Sequence, residues 1–202
     1  MRFGLTPEST LSDKLALLLS GALSPFVVVP IFTAFLVGSV TETWSAFFGW
    51  YFLCVALSTG VPFLYIGWHV RQGLITDIHV SMLEQRDGPF MAGVFGLGSL
   101  TLALLLLGAP SALTHLVVVV FMNSIIFAKI SRHWKISVHT GSLGVCLAGG
   151  IQLMGWSSWW NLLQLPLIWA RAARKRHHPV QGVTGAVLGY TLTAYPLRWL
   201  TL

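Results

Sequence analysis

Charge is what this chain has least of. Six Asp and Glu and twelve Lys and Arg are spread over 202 residues, so only 9% of positions are charged. A water-soluble domain of this size carries about 25% charged residues, and a surface facing water on all sides cannot be built here. Cysteine is also scarce. Cys54 and Cys146 both fall inside apolar runs, which excludes a disulfide framework and reads them as small buried hydrophobes. The three aspartates, Asp13, Asp77 and Asp87, do not cluster, so the Asp-rich magnesium sites of a prenyl transferase are missing. No internal repeat or low-complexity segment is present.

What the chain has instead is apolar length. Hydrophobic residues make up 55% of it, with a mean hydropathy of +0.76. Stretches of about twenty such residues recur, the length a hydrocarbon core demands of a helix. They do not alternate as the strands of a membrane barrel would. The expected fold is all-α: a polytopic transmembrane helical bundle of six to seven spans forming one domain over 1–202. The spans fall near 15–40, 45–69, 90–108, 111–128, 138–155, 157–170 and 182–199. Pro25 and Pro30 predict kinks in the first. That span lacks a small-residue cleavage site and is read as retained.

Three segments between spans are polar: 71–89, 129–137 and 171–181. Counting helices places all three on one face, together with the N-terminus. Eleven cations lie there (Arg2, Lys14, Arg71, Arg86, Lys129, Arg132, Lys135, Arg171, Arg174, Lys175 and Arg176), and only Arg198 lies opposite. The positive-inside rule then makes this face cytoplasmic and puts the C-terminus outside. Trp44, Trp156, Trp159, Trp160 and Trp199 fall near one interface, and Trp68, Trp134 and Trp169 near the other, as amphipathic rings prefer.

Each polar segment leads into the start of a helix, where unpaired N–H groups and a partial positive charge favour an anion. Arg86, Lys135 and Arg171 add positive charge, and planar guanidinium groups suit phosphate oxygens. Lys135, Ser137 and His139 lie within about one turn of each other. Arg171 is followed six residues later by His177, then Pro179 and Gln181. A charge-fixing Arg near two His suits phosphoryl transfer, one His attacking phosphorus and the other protonating the leaving alkoxide. No His pair faces another from within the hydrocarbon zone, which speaks against haem.

These residues resemble the type 2 phosphatidic acid phosphatase superfamily over roughly 75–190. Ser137 and His139 match the Ser and His of its Pro-Ser-Gly-His motif, with Ile136 and Val138 at the other two positions. Ala170-Arg171, His177 and Gln181 reproduce the spacing of Ser-Arg, five residues, His, three residues, Asp. Arg86 stands for the Arg of the Lys, six residues, Arg-Pro motif, Pro89 is displaced by two residues, and position 79 is His rather than Lys.

The resemblance implies a phosphatase acting on a lipid phosphate or isoprenoid diphosphate among membrane lipids, with no cofactor, no metal and no nucleic-acid partner. His177 would form a phosphohistidine and His139 would protonate the departing alcohol. Arg86 and Arg171 would clamp the phosphate and Ser137 would donate to it. Lys135 lies close enough to compensate for the missing Lys. Gln181 could accept a hydrogen bond from the nucleophilic imidazole but cannot supply the charge of the family's Asp. The alternative reading is a catalytically weakened relative that binds anionic lipid or serves as a structural subunit with membrane-protein partners.

Overall fold

The computed structural model describes residues 10–200, so Arg2 and its place in the charge count lie outside the described residues. Among the described residues all regular structure is helical. Helix α1 (Leu11–Ala22) opens on a capping box in which Thr10 accepts from the Asp13 N–H and the Asp13 carboxylate returns to Thr10. Helix α2 (Pro25–Val40) starts at once behind it. Ser24 caps its first turn, and Pro25 occupies the position whose N–H would be unpaired anyway. The first predicted span is therefore two helices bent by 46°. The break comes at the Ser24-Pro25 start signal, while Pro30 is carried inside α2.

Helix α3 (Trp44–Val55) passes through one π turn, Ala56–Gly60, into α4 (Val61–Arg71), and the three run on as one 28-residue rod. The reason is local. Pro62 lacks the N–H that would bond back to Ser58, and the Val61 N–H reaches Ala56 instead. Helix α5 (Asp87–Leu106) follows a 3-10 turn at Leu83–Gln85 and is joined to α6 (Ser111–Ser131) by a short turn containing Gly108 in the left-handed conformation. Helix α7 (Val138–Met154) ends on left-handed Gly155. A 3-10 stretch at Ser158–Leu163 leads into α8 (Gln164–Ala173), and α9 (Pro179–Leu200) is the last described helix.

Among the described residues, three helical stretches are long and apolar enough to cross a membrane: Trp44–Arg71, Leu83–Leu106 and Ser111–Ser131. The bent α1–α2 pair makes a fourth if it is one span. This is fewer than the seven read from the sequence. Apolar α7 has only 17 residues, α8 has ten and carries Arg171, and α9 is long but interrupted by glycine, threonine and glutamine. The outside of the helices is oily. Phe52, Phe95, Leu102, Leu105 and Leu106 are all exposed, an apolar surface far beyond what a protein in water presents. Trp44, Trp159 and Trp199 are exposed as well, whereas Trp156 turns inward to edge against Phe32 and Phe35.

The tightest contact is between α7 and α9. A Cβ on Gly189 would run into the Gly141 carbonyl, and one on Gly185 would meet the Ser137 carbonyl and Thr140 hydroxyl. Small residues let two helix backbones touch. The Thr140 hydroxyl crosses the seam to the Gly182 carbonyl at 2.8 Å. This fixed seam holds the starts of α7 and α9 together, and with them His139 and His177.

Candidate functional site: a basic, histidine-bearing end of an apolar cavity

The three polar segments meet. Arg86, at the head of α5, donates from Nε to the Val80 carbonyl at 3.2 Å, and from Nη1 to Ser131 Oγ at 3.3 Å and the Ile136 carbonyl at 2.8 Å. It thus ties 72–86 to the end of α6 and to 132–137. From the third segment, Arg176 donates to Ser81 Oγ and stands 3.6 Å from the Asp77 carboxylate. His177 closes the ring with its Nδ1 3.1 Å from the Lys135 carbonyl.

That last contact fixes a tautomer. A carbonyl only accepts, so Nδ1 carries the proton and Nε2 keeps its lone pair. Burial first, then Arg171, Arg86 and Lys135, push the His177 pKa down to about 3, against a smaller opposing pull from the Lys135 carbonyl. The resting ring is neutral, as a nucleophile must be.

Arg171 is 98% buried at the end of α8, with relative exposure of 2%. Its Nη1 donates to Ser20 Oγ at 2.8 Å and lies 3.4 Å from His139 Nε2. Its Nε–H has no partner. Among the described residues this Nε–H is buried and unsatisfied, and it lies on the side of the guanidinium that, with Nη2, presents two parallel N–H groups. A buried donor without an acceptor costs about 1–3 kcal/mol, and this edge is the one that grips a carboxylate or phosphate with two bonds.

Arg171, Arg86, His139, His177 and His79 line one end of a cavity of about 260 Å³. Its other walls are mostly apolar, with Phe26, Val29, Phe90, Leu97, Val120 and Phe127 beside a few hydroxyls and Asn123. From Arg86 to Leu97 along α5 is eleven residues, or about 16 Å at the helical rise. A cationic end with a long, mostly apolar cavity behind it matches an amphiphile with an anionic head.

Three expected roles come out differently. Ser137 is fully buried and is not on the cavity wall. It caps α7, accepting from the Thr140 N–H at 3.5 Å, and its own N–H donates to the Gln181 carbonyl at 3.3 Å. Gln181 does not hold His177. Its Oε1 accepts from the His178 N–H at 3.0 Å, while His178 Nδ1 accepts from the Val180 N–H. This is a capping box with His in the place usually taken by Ser or Thr, which hid it in the sequence. Lys135 contributes its carbonyl; its side chain is not on the cavity wall, and burial first, then Arg86, Arg176 and Arg171, lower its pKa.

Two contributors escaped the sequence reading. Ser20 lies 151 residues before Arg171, and no spacing rule connects them. His79 registered only as a departure from a motif, yet its ring sits 5.5 Å from that of His139. It is presented by a tight turn in which the His79 N–H meets Asp77 Oδ1 at 2.9 Å and the Val80 N–H meets the Asp77 carbonyl at 2.9 Å. Val80 itself holds a left-handed φ of 47°, rare for a β-branched residue. Backbone strain of this kind gathers at functional sites.

Compared with protein-family models, curated proteins and solved structures, the chain matches none.

Proposed function

We propose that the protein is a membrane lipid phosphatase that cleaves a lipid phosphate or isoprenoid diphosphate through a phosphohistidine on His177. The observation that carries this reading is the unpartnered, buried Nε–H of Arg171, in one cavity end with a neutral imidazole whose proton is locked on the far nitrogen. The first feature asks for an oxyanion and the second offers a nucleophile to it. The likeness of Arg171, His177 and His139 to the phosphatidic acid phosphatase motifs supports the same reading.

The phosphoryl group is held on the Nε side of Arg171, with Arg86 adding charge, and the lipid tail lies along the cavity. His177 Nε2 attacks phosphorus, and its growing positive charge spreads towards the Lys135 carbonyl through Nδ1–H. That neutral acceptor takes the place of the family's Asp. The arginines stabilise charge on the equatorial oxygens, the main task of any phosphoryl-transfer site. On this reading α7, α8 and α9 complete the bundle around the spanning helices, and the three polar segments face the cytoplasm.

A lipid-binding protein without turnover is the competing reading, and the missing carboxylate partner of His177 favours it. Phosphate release from a panel of lipid monophosphates and prenyl diphosphates separates the two. The expected result is release by the wild type, loss of it in His177→Ala, and a drop of about 10- to 100-fold in kcat/KM for Arg171→Lys, which keeps the charge but loses the two-pronged edge. No release from any substrate would leave the binding reading standing.

A further inference from the structure

The departing lipid oxygen needs a proton, and resemblance assigns that task to His139. The geometry argues against it. Arg171 Nη1 is 3.4 Å from His139 Nε2, and a guanidinium is a donor with no acceptor capacity. Nε2 must therefore offer a lone pair, and His139 rests as a neutral ring whose proton sits on Nδ1. Protonating Nε2 would set imidazolium N–H against guanidinium N–H inside a buried pocket, where charge repulsion is least screened. His139 is thus suited to orient Arg171, jointly with Ser20 on the same Nη1.

A second imidazole stands beside it. His79 lines the same cavity, with its ring 5.5 Å from His139. It is the member of the histidine group that carries a carboxylate in its own turn, since its backbone N–H donates to Asp77 Oδ1. The same loop is pinned at both ends of the turn, by Arg176 to Ser81 and Asp77 and by Arg86 to Val80. A side chain on a loop fixed this firmly is presented rather than trailing.

We propose that His79, and not His139, is the general acid that protonates the leaving lipid oxygen. This rests on the phosphatase reading of the site. In the first step the bond from His177 Nε2 to phosphorus forms while the bond from phosphorus to the lipid oxygen breaks. The electron pair stays on that oxygen, which takes the proton of the His79 imidazolium and leaves as the alcohol. In the second step water attacks phosphorus and gives a proton to the now neutral His79. The phosphorus–nitrogen bond breaks and its electron pair returns to Nε2. Phosphate is released with every charge and proton restored. Burial first, then Arg171, hold the resting His79 ring towards its neutral form, against an opposing pull from Asp77; the arriving phosphate anion offsets Arg171 and so permits the imidazolium.

The test is a comparison of leaving groups. Purified full-length protein in detergent is given dodecyl phosphate, whose alkoxide must be protonated, and 4-nitrophenyl phosphate, whose phenolate leaves without a proton. The readout is kcat/KM, which ends at the first phosphoryl transfer. In His79→Asn, or His79→Gln if the first variant folds poorly, kcat/KM on dodecyl phosphate should fall by about 10²–10⁴-fold, the usual worth of a general acid. On 4-nitrophenyl phosphate it should fall by less than about tenfold, since no proton is needed there. His139→Asn should lower both substrates alike. Equal losses on the two substrates in the His79 variants, no loss at all, or the selective loss appearing in His139→Asn would each overturn the proposal while leaving His177-dependent turnover intact. Absence of turnover by the wild type on both substrates would overturn the phosphatase reading and this assignment with it.

Discussion

His177 shows how one residue links site chemistry to stability. Its ordinary pKa of about 6.5 is pushed down to about 3 by burial and the three neighbouring cations. Between those values the unfolded chain binds a proton that the native chain refuses. Stability therefore rises with pH across this window. The contribution is fully present above about pH 6.5 and is lost progressively as pH falls towards 3. Thermal unfolding of the detergent-solubilised protein should show a midpoint that drops on acidification below neutrality. His177→Asn should shallow that slope, and an unchanged slope would mean that the imidazole is not held neutral. The residues of this site were unevenly legible in the sequence. Arg171, His177, His139 and Arg86 stood out because their types and spacings are themselves chemical statements. Ser20 was invisible because its contact is purely tertiary, and Gln181 was misassigned because spacing cannot tell which of two adjacent histidines a side chain will serve.

Helix starts and helix seams set the geometry at the next scale. The pairs His178–Gln181 and Ser137–Thr140 begin α9 and α7, and the glycine seam locks the two helices side by side. A methyl group at Gly189 has nowhere to go, because its obstacle is the Gly141 backbone rather than a yielding side chain. Gly189→Ala should cost about 1–3 kcal/mol, as overpacking does, and lower the melting temperature and phosphate release together. Gly49→Ala is the control, since nothing lies within 4 Å of its added methyl and alanine favours a helix. A Gly189→Ala protein as stable as that control would contradict the close approach. The length of the apolar stretches located these helices in the sequence. It overran at the first span, where a capping serine followed by proline breaks the helix that composition alone would continue. It also read α7 as a full span, although that helix has only 17 residues.

At the scale of the molecule, an extensive exposed apolar surface accompanies polar loops gathered around Arg86, Arg176 and His177. Burial of Cys54 and Cys146 leaves the native chain poorly reactive to membrane-impermeant thiol reagents. A Gln72→Cys variant, exposed beside the loop that carries His79, then reports the side on which the site opens. The charge distribution predicts labelling only from the cytoplasmic side; labelling only from outside would reverse the orientation while leaving the site chemistry unchanged.

The account turns on a covalent bond between His177 and phosphorus. The most direct measurement is a rapid acid-free quench of the protein with ³²P-labelled lipid phosphate, followed by peptide mapping. A phosphohistidine is stable to alkali and lost in acid, so the account predicts alkali-stable, acid-labile label on the peptide containing His177, absent from His177→Ala. Phosphate release from the wild type with no label on that peptide, or with label persisting in His177→Ala, would contradict it.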